Sequence, residues 1–245
     1  MSLTKHIPNT ITLMNLLSGV FGVICAVHGW FDLAFLLMLL ASVFDFCDGL
    51  AARLLGAYSP VGKELDSLSD MVSFGVLPSL MLVSTMQACG ASDWFSYIPL
   101  FLALMSALRL AKFNVDDRQG TDFLGVATPT SALLCGSFSC FVYIQKTEWL
   151  VELCASAWFI PLIAVVLGLL MVSEIPMFGM KIAKGHKLLD VKRMVFLALA
   201  VAAVLLTILL HLNWSLAVLL IFTAYLLENL FIWFIGLFWK TRTNN

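Results

Sequence analysis

Residues Asp45 to Asp70 read DFCDGLAARLLGAYSPVGKELDSLSD, four aspartates set in a chain that is 61% hydrophobic with a mean hydropathy of +0.99. An aspartate at the centre of a transmembrane helix costs roughly 2.5–3.5 kcal/mol on insertion scales. Four in one stretch are too costly to serve as packing, so they mark a functional site. The stretch also splits two apolar runs at Gly56-Ala57-Tyr58-Ser59-Pro60-Val61-Gly62, a short turn-rich connection. That pattern is a helical hairpin with its carboxylates gathered at one end.

The surrounding sequence has the same character. Only 12% of the 245 residues are charged, against about 25% in a soluble domain. We therefore expect an all-α, polytopic membrane protein. Apolar spans are expected at about 10–28, 31–56, 64–88, 96–114, 126–145, 149–172, 192–211 and 213–239, each near the ~20 residues that cross the hydrocarbon. The first run lacks a small-residue cleavage site and reads as a permanent span. Trp30, Trp94, Trp149, Trp214 and Trp239 lie near span ends as an interfacial belt.

Sorting the cations by connecting loop places every Lys and Arg except Lys146 on one side. The positive-inside rule then makes both termini and the aspartate site cytoplasmic, which an even count of eight spans satisfies. A prokaryotic cell membrane is the expected location. Residues 173–191 form a linker that divides the chain into a core over 1–180 and an extension over 181–245 with two further spans. A net charge of −1 leaves no bulk electrostatic case for nucleic acid. The six cysteines show no metal spacing and read as small buried hydrophobes. His28 and His211 fall at turns on the far side. Glu228 lies inside the last span, where it pairs across helices or stays neutral.

The spacing of the acids carries chemistry. Asp45 and Asp48 are three apart and Asp66 and Asp70 four apart, so each pair shares a helix face. An all-oxygen cluster suits Mg²⁺ or Mn²⁺ rather than zinc or copper. Two such ions would offset the carboxylate repulsion and clamp a phosphoanhydride. Gly49 and Gly62 allow close backbone approach, and Arg53 follows Asp45 on roughly the same face, with the fork geometry that suits phosphate. Further on, Arg109 and Lys112 share a face at the same end of the fourth span. An anionic substrate group is one candidate partner. Headgroup snorkelling, or pairing with Asp116, Asp117 or Asp122, is the alternative. Asn114 either hydrogen-bonds the substrate or caps the helix.

Every fixed position of D-x-x-D-G-x-x-A-R-x8-G-x3-D-x3-D is present between Asp45 and Asp70, and the stretch resembles the signature of the CDP-alcohol phosphotransferases. The resemblance implies a six-helix membrane core that binds a CDP-linked lipid or alcohol at two metal ions and releases CMP. It implies that Asp45, Asp48, Asp66 and Asp70 gather the metals, with Asp70 also the general base. Gly49, Ala52, Arg53 and Gly62 would line the CDP site.

The wider sequence resembles the membrane-embedded (type II) phosphatidylserine synthase branch. Residues 7–12, 59–75, 109–114 and 125–129 carry that likeness, and they add Asn9, Thr12 and Ser59 to the expected CDP-lipid site. Arg109, Lys112 and Asn114 become the expected serine site. Lys112 stands where Arg is common and Ala127 where Pro is common, and no motif is recognised after residue 190. The branch implies transfer of a phosphatidyl group from CDP-diacylglycerol to the L-serine hydroxyl, by a homodimer. Rival readings are another acceptor, such as glycerol 3-phosphate or an inositol phosphate, an archaeal lipid donor, and a divalent-cation transporter. The transporter fits poorly, because the acids gather at one end and no internal repeat is evident.

Overall fold

The computed structural model describes residues 6–115, 123–178 and 191–243. Among the described residues the regular structure is helical apart from one two-residue antiparallel pair, β1 (Phe123–Leu124) with β2 (Pro176–Met177). Helices α1 (Ile7–Val27) and α2 (Phe31–Leu55) form a tightly packed hairpin. Gly56 ends α2 in the left-handed conformation, φ 58°, where only glycine avoids a steric penalty. Ser59 then caps α3 (Pro60–Asp70), its hydroxyl accepting the Gly62 N–H at 2.9 Å, with Pro60 opening the helix.

After Asp70 the helix widens into a π-helical turn, Met71–Val76, before resuming as α4 (Leu77–Ala88). Pro78 gives a reason. It offers no N–H to the Phe74 carbonyl four residues back, and its ring crowds that carbonyl. A widened turn accommodates both effects, and such turns recur at functional sites.

The face that α1 turns inward consists of Thr12, Asn15, Ser18, Gly19, Gly22 and Cys25, at steps of three or four residues. The large residues Leu13, Leu17, Phe21 and Ile24 are exposed on its other side. This inversion suits a helix surrounded by lipid, where small residues let backbones approach and bulky ones meet acyl chains. Gly19 shows how close the approach is: a β-carbon there would stand 2.9 Å from the Ser73 Cα in the π turn.

A 3₁₀ turn, Trp94–Leu100, leads into α5 (Phe101–Val115). Then follow α6 (Thr128–Gln145), α7 (Glu148–Ala155), α8 (Phe159–Val172), α9 (Val191–Leu209) and α10 (Trp214–Thr243). Gly125, at φ 71°, lies so close to the end of α8 that a β-carbon would fall 2.5 Å from the Met171 carbonyl oxygen. The last two helices meet the rest at Phe178, whose ring packs on Phe196 of α9 and Tyr225 of α10. There Tyr225 donates to the Phe178 carbonyl at 3.0 Å and Asn229 accepts the Phe178 N–H at 2.8 Å.

Among the described residues six helical segments are long and apolar enough to cross a membrane, and a seventh if α7 and α8, bent by 62°, count as one span. This is a polytopic membrane protein. The expected span at 126–145 is present as α6, 18 residues long, but is not one of the six. Its inward face carries Thr128, Ser131, Gly136, Ser137 and Ser139, which lower its hydropathy while packing it against neighbours. Most of the expected linker 173–191, and the acids Asp116, Asp117 and Asp122, lie outside the described residues.

Candidate active site

The hairpin of α2 and α3 brings Asp45, Asp48 and Asp66 together, with one carboxylate oxygen from each within 4.8 Å of the others. Two charges at that separation repel by about 3.5 kcal/mol at an effective dielectric of 20. The nearby cations do not offset this. Arg53 Nε donates to the Gly49 carbonyl of its own helix at 3.0 Å. Lys63 Nζ donates to the Asn114 carbonyl at 2.8 Å. Arg109 donates through Nη1 to Thr128 Oγ1 at 3.0 Å.

The donor set fits a hard cation. Oxygens around an ion at roughly 2.1–2.5 Å stand roughly 3–5 Å apart, so the observed spacing admits a shared ion. The trio could therefore hold a divalent cation of the Mg²⁺ or Mn²⁺ class.

Helix α1 supports the acids from the side. Thr12, buried, donates to Asp48 Oδ2 at 2.6 Å. Three residues on, Asn15 Nδ2 donates to Asp70 Oδ1 at 3.2 Å. Asp70 stands outside the trio but within Coulombic range of all three. It is 9% exposed, at the junction of α3 with the π turn. Thr12 was expected among the CDP-lipid contacts; its hydroxyl donates to Asp48 Oδ2 at 2.6 Å and lies 3.0 Å from the Pro8 carbonyl. Asn15 was not expected at all. Its only signal in the sequence is its step of three from Thr12 on an otherwise apolar helix.

Beside the trio a cleft of about 210 Å³ is lined by Asn9, Thr12, Asp48, Gly49, Ala52, Ser59, Gly62 and Asp66, together with Pro8, Ala57, Tyr58 and Lys63. Six of the seven residues expected to meet a CDP-lipid therefore share one wall-to-wall space. Arg53 is the seventh; it is exposed and does not line the cleft. A β-carbon on Gly49 would meet nothing within 4 Å, so the missing side chain leaves room in the cleft. At Gly62 a β-carbon would press on Asn9 Oδ1 and Ser59 Oγ, both at 3.0 Å.

The expected serine residues are divided. Arg109 is 8% exposed, faces Thr128, and leaves its Nε without a partner. Asp70 lies within its Coulombic range. Lys112, three residues on, is exposed. Asn114 Nδ2 donates to Ser67 Oγ at 2.9 Å, which fastens the end of α5 to α3.

A CDP-alcohol phosphatidyltransferase family model matches residues 5–170. An archaetidylserine synthase of Methanothermobacter thermautotrophicus is 36% identical over 138 residues, 54% of this chain and 57% of that protein. A CDP-diacylglycerol–serine O-phosphatidyltransferase of Mycobacterium leprae is 30% identical over 179 residues, 70% of this chain and 57% of that protein. The Helicobacter pylori protein of the same name is 31% identical over 194 residues, 78% of this chain and 80% of that protein. The chain thus spans less than two thirds of the first two relatives and most of the third.

Proposed function

Because the chain belongs to the CDP-alcohol phosphatidyltransferase family, we propose that it transfers the phosphatidyl group of CDP-diacylglycerol to the hydroxyl of L-serine and releases CMP. The observation that carries this reading is the meeting of three carboxylates from α2 and α3, two of which, Asp48 and Asp66, line the cleft. The relatives named as serine transferases support the acceptor.

In this reading Asp45, Asp48 and Asp66, with Asp70 beside them, hold two Mg²⁺ or Mn²⁺ ions. Bound there, the ions supply charge neutralisation for the diphosphate. Asn9, Thr12, Gly49, Ala52, Ser59 and Gly62 shape the space for the CDP moiety. Arg53 reaches a phosphate by leaving the Gly49 carbonyl. Asp70 takes the serine hydroxyl proton, held in place by Asn15. The hydroxyl oxygen forms a bond to the phosphorus that bears diacylglycerol, the anhydride bond breaks, and CMP leaves with its electron pair. Positioning and electrostatics carry such a step. Arg109, Lys112 and Asn114 serve the acceptor side, with Arg109 opposite the serine carboxylate.

The same proposal includes eight spans, with both termini and the site cytoplasmic. It assigns 1–180 to the catalytic core and 181–245 to an added pair of helices, in a homodimer. A second donor, an archaeal lipid, is favoured by the 36% identity to the archaetidylserine synthase.

The deciding experiment incubates the purified protein with CDP-diacylglycerol and a panel of alcohols, scoring CMP and lipid product. Serine alone should yield both. A product with glycerol 3-phosphate or an inositol phosphate in place of serine would overturn the acceptor, and no CMP with any alcohol would overturn the reaction.

A further inference from the structure

At the opposite end of the bundle from the aspartates lies a second cavity, of about 220 Å³. Phe31, which opens α2, lines it, and Asp48 on the same helix is about 26 Å away at 1.5 Å per residue. The lining runs from apolar to charged. Phe31, Thr85, Ser139 and Val142 are each no more than 3% exposed, whereas Tyr143 and Lys146 are exposed.

Two polar groups in this lining call for a ligand. The Thr85 hydroxyl is not one of them, because it donates to the Met81 carbonyl at 2.7 Å. Ser139 Oγ is buried with no hydrogen-bond partner, where a buried hydroxyl ordinarily has one. The Lys146 ammonium stands 4.8 Å from the centre of the Tyr143 ring, and none of the residues lining the cavity is a carboxylate. Tyr143 follows Ser139 by one turn of α6, so the two share a face about 6 Å apart along the axis. The cation and the unpaired hydroxyl therefore belong to one wall, about a helical turn apart.

We propose that this cavity binds one anionic phospholipid, with its phosphate at Lys146, an ester carbonyl at Ser139 Oγ and its acyl stem against Phe31 and Val142.

Each part of such a lipid answers one part of the wall. An ammonium suits a phosphate as a point charge. An ester carbonyl accepts a hydrogen bond and has none to give, which completes a hydroxyl donor. Phosphate and ester of one lipid both lie in the polar region of a leaflet, roughly 5–8 Å deep, which matches the turn of helix between the cation and Ser139. Free phosphate would satisfy Lys146 alone. It would leave Ser139 unpaired and the apolar walls in water, and an acyl stem removes that surface from water. The proposal does not depend on the transfer reaction.

Cys89 also lines the cavity and is a free thiol, so its alkylation reports occupancy. The purified full chain is placed in nanodiscs of phosphatidylcholine, with or without phosphatidylglycerol as a minor component. Labelling by N-ethylmaleimide is followed at each cysteine by peptide mass spectrometry. Phosphatidylglycerol should slow the labelling of Cys89 by about tenfold relative to Cys47 of α2. Inorganic phosphate added to phosphatidylcholine discs should give no protection. Lys146→Gln and Ser139→Ala should each lose most of the protection, and Lys146→Arg should keep it. Native mass spectrometry is the second readout: the unaltered chain should retain one phosphatidylglycerol that Lys146→Gln releases. It decides alone if Cys89 does not react, and the contrast between phosphatidylglycerol and inorganic phosphate on the unaltered chain decides if a variant fails to fold. Protection by inorganic phosphate alone would overturn the lipid assignment. Equal labelling in the two kinds of disc with no lipid retained, or protection undiminished in both Lys146→Gln and Ser139→Ala, would overturn the site.

Discussion

Thr12 of α1 donates a 2.6 Å hydrogen bond to Asp48 of α2, across 36 residues of chain, with both side chains buried. The bond restrains the Asp48 carboxylate beside Asp45 and Asp66. Partners of this kind orient a ligand without touching the ion, and their loss typically costs about 10–100-fold in affinity or activity. Thr12→Val should lower Mn²⁺ affinity of the purified protein by that order, and Thr12→Ser should restore most of it. Unchanged Mn²⁺ titrations for Thr12→Val would remove Thr12 from the support of the site.

Removing divalent ions should abolish CMP release, and Mg²⁺ or Mn²⁺ should restore it. Three carboxylate oxygens within 4.8 Å of one another are the motive. Full turnover in chelator-treated buffer would sink the metal reading. Zinc is expected to restore little, because its preferred ligands are nitrogen and sulfur.

Asp70→Asn should keep affinity for CDP-diacylglycerol and lose turnover. Asp70 lies outside the trio and is held by Asn15, so the cluster survives the substitution. Loss of a general base typically lowers the rate on the order of 10²–10⁴-fold. The check is a pairing of lipid binding with single-turnover CMP release, and near-normal release would reassign the residue.

Arg109→Ala should raise the KM for serine far more than that for CDP-diacylglycerol, and Lys112→Ala should do so less. Arg109 is buried, with its Nε unpartnered. An anionic acceptor would complete it. Lys112 is exposed, and an ammonium lacks the fork of a guanidinium. Steady-state kinetics with each substrate varied in turn decides the point. A variant that loses donor affinity and keeps its serine KM would move Arg109 to the phosphate side.

Gly49 and Gly19 should separate site from scaffold. Gly49→Val enters open space at the cleft. It should leave thermal unfolding unchanged and raise the KM for CDP-diacylglycerol by about tenfold, a loss of about 1.4 kcal/mol of binding. Gly19→Val meets the Ser73 backbone, and overpacking of this kind costs about 1–3 kcal/mol. It should lower the melting temperature. Equal melting of the two variants would contradict the close approach of α1 to the π turn.

Apolar run length and the three- and four-residue steps among the aspartates are local properties of the chain. They sufficed to identify a polytopic helical protein, the hairpin at Gly56 and Ser59, and an expected cluster of Asp45, Asp48, Asp66 and Asp70, of which the first three meet and Asp70 stands beside them. A motif read along one stretch also placed Gly49, Ala52 and Gly62 in one space, because the stretch folds as two helices joined by a short turn. The contacts that set each group's state were not legible in this way. Thr12 meets Asp48, Asn15 meets Asp70 and Arg109 meets Thr128 at separations of 36, 55 and 19 residues. Each pair joins different helices whose relative rotation no single segment encodes. Arg53 shows the converse: its position in the motif is local, but its guanidinium folds back on Gly49, where a solvated helix surface offers an acceptor on its own helix. Spacing along one helix determines which residues share a face. What that face meets is decided only when helices pack, because buried polar groups must find partners wherever the neighbouring helix presents them.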